Sequence, residues 1–231
     1  MTQTDLADKR YDFDISSQTL LRGDNTVSIQ LDMIGSGKKV LELGCATGRV
    51  SRLLKEIKNC EVTGVEFSAS AAELAHPYCA DLLIGNLESS EFCSTIEGQF
   101  DVILAGDVLE HLRNPEMALD HLKRNLSSDG YWVISTPNVA HWSMRRNLLL
   151  GKFDYTQTGM MDRTHVTWFT YKSLRQMLKD TGYKVEEERG VYTLPAQKAL
   201  RLSRVAMMLG NYKIFRSLLA FQMIMKARLQ L

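Results

Sequence analysis

Val40-Leu41-Glu42-Leu43-Gly44-Cys45-Ala46-Thr47-Gly48-Arg49-Val50 decides how this chain is read. An apolar run ends in an acid, two glycines bracket three residues, and a helical pattern follows. Glycine has no Cβ and tolerates positive φ, so such a turn lets bare backbone approach a ligand. Glu42 sets the chemistry, because a carboxylate just before the turn suits a cationic or hydroxyl-bearing ligand better than a pyrophosphate. The turn also lacks the middle glycine of the Gly-x-Gly-x-x-Gly dinucleotide fingerprint.

Outward from that turn, strand and helix patterns alternate. Residues 38–43 read as a first strand. Val50, Leu53, Leu54 and Ile57 then make the i, i+3, i+4, i+7 stripe of a core-facing helix. Residues 61–66 read as a second strand, with Ser68 capping an Ala-rich helix. A short strand over 81–84 ends at Gly85-Asn86, and a strongly apolar one covers 100–105. Pro115 follows Asn114 as the first residue of a helix, with Ala118, Leu119, Leu122 and Leu126 as its buried stripe. Residues 131–136 form a fifth strand stopped by Pro137. Thr170 opens a helix that ends at Gly182, and residues 184–191 and 218–227 close the sheet. Short apolar strands alternating with helices indicate an α/β fold: a doubly wound, mostly parallel sheet with helices on both faces. Ligands of such sheets bind at the carboxyl ends of the strands. Glycines 44 and 48, Glu66, Asn86 and Gly106-Asp107 all fall at those ends.

Composition narrows the function class. The chain has 231 residues and a formal net charge of +1, which gives no global bias toward nucleic acid or membrane. Cys45, Cys60, Cys79 and Cys93 form no CxxC pair, so structural zinc is not expected. With no leader pattern in the first ten residues and no bilayer-length apolar run, the expected location is the cytoplasm, in reduced form. One domain is expected over 1–231, with an N-terminal helical cover over 1–36, a substrate-side insertion over 140–170 and a basic amphipathic segment over 195–217. From Pro195 onward there are seven Lys/Arg and no Asp or Glu. Lys198, Arg201, Arg204, Lys213 and Arg216 alternate there with apolar residues, a pattern that fits an anionic surface, a cover for the sheet or a dimer contact.

The stretches VLELGCATG (40–48), VTGVE (62–66), Gly85-Asn86-Leu87 and FDVILAGDVLEHL (100–112) together resemble the class I S-adenosylmethionine-dependent methyltransferases, in order and spacing. Within that class the chain is most similar to small-molecule enzymes related to ubiquinone-biosynthesis O-methyltransferases, and the Asp162–His165 segment resembles saccharide-modifying relatives. The resemblance implies a seven-stranded sheet with the last strand antiparallel. It also implies S-adenosyl-L-methionine as cofactor, with S-adenosyl-L-homocysteine as product. By the same resemblance Glu42, Gly44, Cys45, Ala46 and Gly48 approach the methionine portion, and Glu66 holds the ribose hydroxyls. Asn86, Leu87 and Phe67 meet the adenine, while Gly106, Asp107 and Val108 lie beside the amino and sulfonium end. The family more often has Asp where this chain has Asn86.

Two histidines are candidate catalytic groups. His111 is spaced to share a helical face with Asp107. His165 lies in a polar island over the carboxyl edge and is favoured as base or substrate anchor. Arg145 and Arg146, on a helix expected to cap the pocket, are candidate anion binders, and Asp162 and Arg163 are candidate partners of substrate hydroxyls. No tight acidic–histidine cluster is visible, so no metal is expected. The expected acceptor is a hydroxyl of a saccharide-type or other polar metabolite. A quinone-precursor or lipid-linked acceptor, a nicotinamide-dependent oxidoreductase and a catalytically silent cofactor-binding module are the alternatives. Nucleic acid is not an expected partner. Peripheral membrane contact is the less favoured reading of the basic segment, and a homodimer is left open.

Overall fold

The computed structural model describes residues 25–192 and 213–230. The elements run α1 (Thr26–Ile34), β1 (Lys39–Leu43), α2 (Arg49–Glu56), β2 (Glu61–Glu66), α3 (Ala69–Ala75), β3 (Asp81–Ile84), α4 (Ser90–Thr95), β4 (Phe100–Gly106), α5 (Pro115–His121), β5 (Leu126–Pro137), α6 (Trp142–Leu149), α7 (Tyr171–Asp180), β6 (Tyr183–Tyr192), α8 (Lys213–Leu219) and β7 (Ala220–Leu229). The seven strands form one sheet in the order β3-β2-β1-β4-β5-β7-β6. The first five pair in parallel, and β7 runs antiparallel between β5 and β6. The doubly wound sheet expected from sequence is therefore present.

Alternation along each strand divides the core in two. Leu41, Leu43, Val65, Ile103, Ala105, Trp132 and Ile134 pack on one face with Ala118, Leu119, Leu174 and Leu178 of α5 and α7. Val40, Val62, Val102, Leu104 and Val133 pack on the other with Ile29, Leu31, Leu53 and Leu54 of α1 and α2. A sheet whose strands are apolar on both sides needs cover on both sides, which is why these strands read as near-continuous apolar runs. Strand order reverses between β1 and β4, so their carboxyl ends splay apart and leave a crevice.

Several local expectations shift. In α2 Leu53 and Leu54 are buried, but Ile57 is 43% exposed and Val50 lines the crevice instead. Leu126 is buried as expected but opens β5, since α5 ends at His121. The final strand begins at Ala220, because the preceding residues coil into α8. Asn114, Ser68 and Thr170 do cap their helices, and Gly182 takes the left-handed conformation expected past α7. Of the basic segment over 195–217, residues 195–212 lie outside the described residues, as do residues 1–24 of the N-terminal cover. Arg216 pairs with Glu188 of β6 at 2.8 Å and so anchors α8 to the sheet.

Gly48 shows why the turn needs glycine. It has φ +80°, and a Cβ there would lie 2.7 Å from the Cα of Ala75 in α3. Gly48→Ala combines a left-handed backbone with a contact that only backbone movement relieves. The expected cost is about 2–4 kcal/mol, a fall in Tm of roughly 5–12 °C, read by thermal unfolding.

Candidate cofactor and acceptor site

The crevice at the β1/β4 switch holds a cavity of about 650 Å³. Its wall draws on four strand ends and three helices. Glu42 to Val50, Glu66 to Ser68, Gly85 to Leu87 and Gly106 to Val108 contribute, with Thr26, Val27 and Gln30 of α1 above them and His111, Leu112 and Thr164 at one end. All twelve residues expected at the cofactor are therefore gathered in one concavity, except that Gly48 supports the turn without lining the wall.

Each polar group is held for a task. Glu66 accepts hydrogen bonds from the backbone N–H groups of Ala46 (2.8 Å), Phe67 (2.8 Å) and Ser68 (2.9 Å). Its carboxylate is thus fixed with lone pairs still available to a diol. The Oδ1 of Asn86 accepts from the Glu88 N–H at 2.9 Å, leaving its NH₂ as the group offered to a base edge. An aspartate there would have only acceptors to offer, so the departure from the family's usual residue reverses the polarity of that contact. Leu87 is buried, while Phe67 stands 68% exposed beside the ring site.

Glu42 is buried and accepts from the Ser51 hydroxyl at 2.6 Å. Burial, only partly offset by Ser51, pushes its carboxyl up to about 8. Burial thus favours the neutral acid, and a cationic ligand beside it would favour the carboxylate. Arg49, which sequence reading passed over, also lines the cavity. Its Nε is buried with no hydrogen-bond partner among the described residues. Burial lowers its pKa. An acid and an orphaned guanidinium in one cavity match an ammonium and a carboxylate on the same ligand, as in the amino-acid end of S-adenosylmethionine.

A pH dependence follows. Ligand binding converts neutral Glu42 to carboxylate, so binding near pH 6.5 releases a proton and affinity rises toward pH 8 by up to about tenfold per unit. Calorimetry of S-adenosylhomocysteine binding in buffers of different ionisation enthalpy should show that release in the native chain and not in Glu42→Gln. Equal proton release in both would remove Glu42 from this role.

Asp107 lines the cavity and is also tied into the fold. It sits at φ +58°, and its carboxylate accepts from Ser135 Oγ at 2.8 Å and from the Gln222 amide. Gln30 donates to the same Ser135 hydroxyl at 2.9 Å. Asp107 thus lines the cavity while its side chain closes an internal network of α1, β5 and β7. Burial raises its pKa. It does not share a helical face with His111, because the residues between them turn through a short 3-10 segment, Leu109–His111.

The acceptor end is assembled from distant sequence. His111 lines the cavity, and its Nδ1 lies 3.2 Å from the Thr164 carbonyl. That carbonyl accepts the Nδ1 proton, which leaves Nε2 as a lone pair. Burial and the neighbouring His165 lower the pKa of His111. His165 is buried behind it, with ring centroids 4.8 Å apart and Nδ1 3.1 Å from the Met160 carbonyl. The loop carrying it is stitched to the 3-10 turn by Val166 N–H and Thr167 N–H donating to the Glu110 carbonyl and by Thr167 Oγ1 donating to the Leu112 carbonyl at 2.6 Å.

Three expectations about this region are corrected. The helix over 140–153 forms as α6, yet none of its residues lines the cavity. Met144 roots it instead in a cluster with Met160 and Met161. Arg145 donates to the Ala140 carbonyl, and Arg146 lies over the Trp142 ring. Leu148, Leu149 and Leu150 are 53, 88 and 64% exposed. Asp162 is turned inward and accepts from the Thr164 hydroxyl and N–H, so it is not offered to a substrate. Thirdly, a cluster absent from the linear sequence does form. Glu110, His111 and His165 bring ligand atoms within 4.8 Å of one another, and the buried Glu110 carboxylate has no hydrogen bond of good geometry among the described residues.

The comparisons agree with this geometry. The methyltransferase domain family matches residues 25–188. The mitochondrial ubiquinone biosynthesis O-methyltransferase of Schizosaccharomyces pombe is 26% identical over 180 residues, 73% of this chain and 63% of that protein. The ubiquinone biosynthesis O-methyltransferase of Glaesserella parasuis is 32% identical over 44% of this chain and 46% of that protein. The chain thus spans from about half to about two thirds of these two relatives. Among solved structures, a SAM-dependent methyltransferase from Archaeoglobus fulgidus superposes with TM-score 0.57 at 17% identity, covering 87% of this chain and 91% of that one. The cyclase SpnF does so with TM-score 0.60 at 14% identity, covering 90% and 82%, so this fold alone does not dictate the reaction. Taken with the cavity and its donor set, these matches show that the chain belongs to the methyltransferase domain family, with S-adenosylmethionine as its cofactor.

Proposed function

We propose that the chain transfers a methyl group from S-adenosylmethionine to a hydroxyl of a small molecule, with His111 as the general base. The observation that carries this reading is His111 at the wall of the cofactor cavity, its Nδ1 committed to a backbone carbonyl and its Nε2 lone pair free. When bound, the cofactor supplies a methyl on a positively charged sulfur. The residues around it orient and exclude water. Glu66 fixes the ribose end, Glu42 and Arg49 the amino-acid end, and the α1 cover with Leu112 and Val108 closes the acceptor side. His111 takes the proton that a hydroxyl nucleophile must lose.

His165, favoured as base from sequence, becomes a positioning group that packs against His111. The cavity wall as a whole is largely apolar, with Val27, Val50, Val65, Leu87, Val108 and Leu112 among its lining residues. That favours a hydroxyl on a weakly polar ring, of the phenolic kind a quinone precursor carries, over a saccharide with many hydroxyls to satisfy. The relatives' names point the same way. Incubation with labelled S-adenosylmethionine and a panel of catechols and saccharides tests this, with methylated catechol as the expected product. Transfer to saccharides alone would overturn the ring assignment.

The Glu110–His111–His165 cluster supports a second reading, in which a divalent cation holds the acceptor oxygen. Turnover that survives thorough chelation favours the base; turnover lost to chelator and restored by a divalent cation favours the metal.

A further inference from the structure

A second hollow of about 380 Å³ opens directly behind the acceptor end, lined by Tyr155, Arg163, His165, Val166 and Trp168. Its floor is aromatic. Trp168 stands edge-on to His165 at 5.7 Å and next to Tyr155 at 6.4 Å, and His165 in turn contacts His111 of the cofactor cavity at 4.8 Å. The two cavities share no lining residue, but they are neighbours: Thr164, exposed, lines the first, and Arg163 and His165 on either side of it line the second. A ligand with its reactive hydroxyl at His111 and its bulk extending past Thr164 would meet this floor.

Arg163 decides what that bulk carries. It is exposed, and its guanidinium has no hydrogen-bond or ion-pair partner among the described residues. The adjacent acid, Asp162, is turned away into bonds with Thr164. Its backbone is pinned nonetheless, because Arg163 N–H donates to the Thr156 carbonyl and Asp162 N–H to that of Gly159. A guanidinium on a fixed loop, beside aromatic faces and free of a protein carboxylate, is built to take the paired oxygens of a carboxylate or phosphate.

We propose that this hollow is the outer subsite of the acceptor, and that the acceptor bears an anionic group, carboxylate or phosphate, on or next to a ring that rests against Trp168 and Tyr155. The inference rests on the methyl-transfer reading above and adds a requirement for charge to it. The arrangement is selective by difference, since a neutral analogue leaves Arg163 solvated and gains only the aromatic contact.

The test uses the full chain saturated with S-adenosylhomocysteine and titrated with phenyl phosphate, benzoate, inorganic phosphate and phenol, followed by calorimetry or ligand-observed NMR. Phenyl phosphate or benzoate should bind about tenfold or more tightly than phenol, and Arg163→Gln should remove that preference. Trp168→Leu should weaken both ring-bearing anions and leave inorganic phosphate unaffected. Which anion binds better separates a phosphate ester from a carboxylate. Equal binding of phenol and phenyl phosphate, or a preference for the anion that survives Arg163→Gln, would overturn the proposal. Binding of S-adenosylhomocysteine is read in the same samples. If it binds to the native chain and to Arg163→Gln alike while no anion does, this subsite fails alone; if it does not bind the native chain, the methyl-transfer reading fails first.

Discussion

Replacing His111 by alanine is expected to lower kcat by about 10²–10⁴-fold while leaving cofactor affinity within a few-fold of the native value. The magnitude is that of a positioned general base. The separation of the two readouts follows from the geometry. His111 lines the cavity but takes no part in the cofactor contacts proposed for Glu42, Arg49 and Glu66. His165→Ala should cost less, because His165 reaches the reaction only through the His111 ring, 4.8 Å away. Steady-state kinetics with calorimetry of S-adenosylhomocysteine binding measures both. A His165→Ala enzyme more impaired than His111→Ala would invert the assignment.

Glu66→Ala is expected to raise the cofactor Kd by about 10²–10⁴-fold. Two hydroxyl hydrogen bonds to a carboxylate each contribute roughly 1.5–3 kcal/mol. The loss also frees the N–H groups of Ala46, Phe67 and Ser68, which this carboxylate gathers at 2.8–2.9 Å. Ala46 has φ +48° in the glycine turn, so the carboxylate proposed to take the ribose also props a strained stretch of backbone. Glu66→Gln keeps one acceptor oxygen and should fall between the two. A change below tenfold in the alanine variant would show that Glu66 is not at the ribose.

The two ends of the cavity differed in how readily sequence showed them. Glu42, Glu66, Asn86 and Gly106 were legible because each ends an apolar strand, and parallel strands in one sheet bring such ends together by construction. Arg49 lies within the same stretch, but nothing in its spacing marks it; only tertiary burial leaves its Nε without a partner. The acceptor end was not legible in the same way. Gln30, Ser135, Asp107 and Gln222 join through hydrogen bonds across four elements, and no local period or spacing encodes that meeting. Likewise, the helix over 140–153 was correctly placed along the chain but not in space. Its basic face read as a lid, whereas Met144 turns it away from the cavity. That the strands are apolar on both faces is legible in the sequence; which helix covers which face is not, because both faces are equally apolar.

The position of β7 carries a consequence for how this protein is made. β7 follows β6 in the chain yet lies between β5 and β6, and β6 pairs with no other strand. A chain emerging from the ribosome through β6 has a five-stranded parallel sheet with β5 as an open edge and β6 as a segment with nothing to pair with. The same strand brings Gln222, the donor that completes the hydrogen bonding of Asp107. Until β7 is made, Asp107 lacks its Gln222 donor. Synthesis of that strand seals the open edge and completes this hydrogen bonding in one step, so partially made chains are the ones a chaperone should hold.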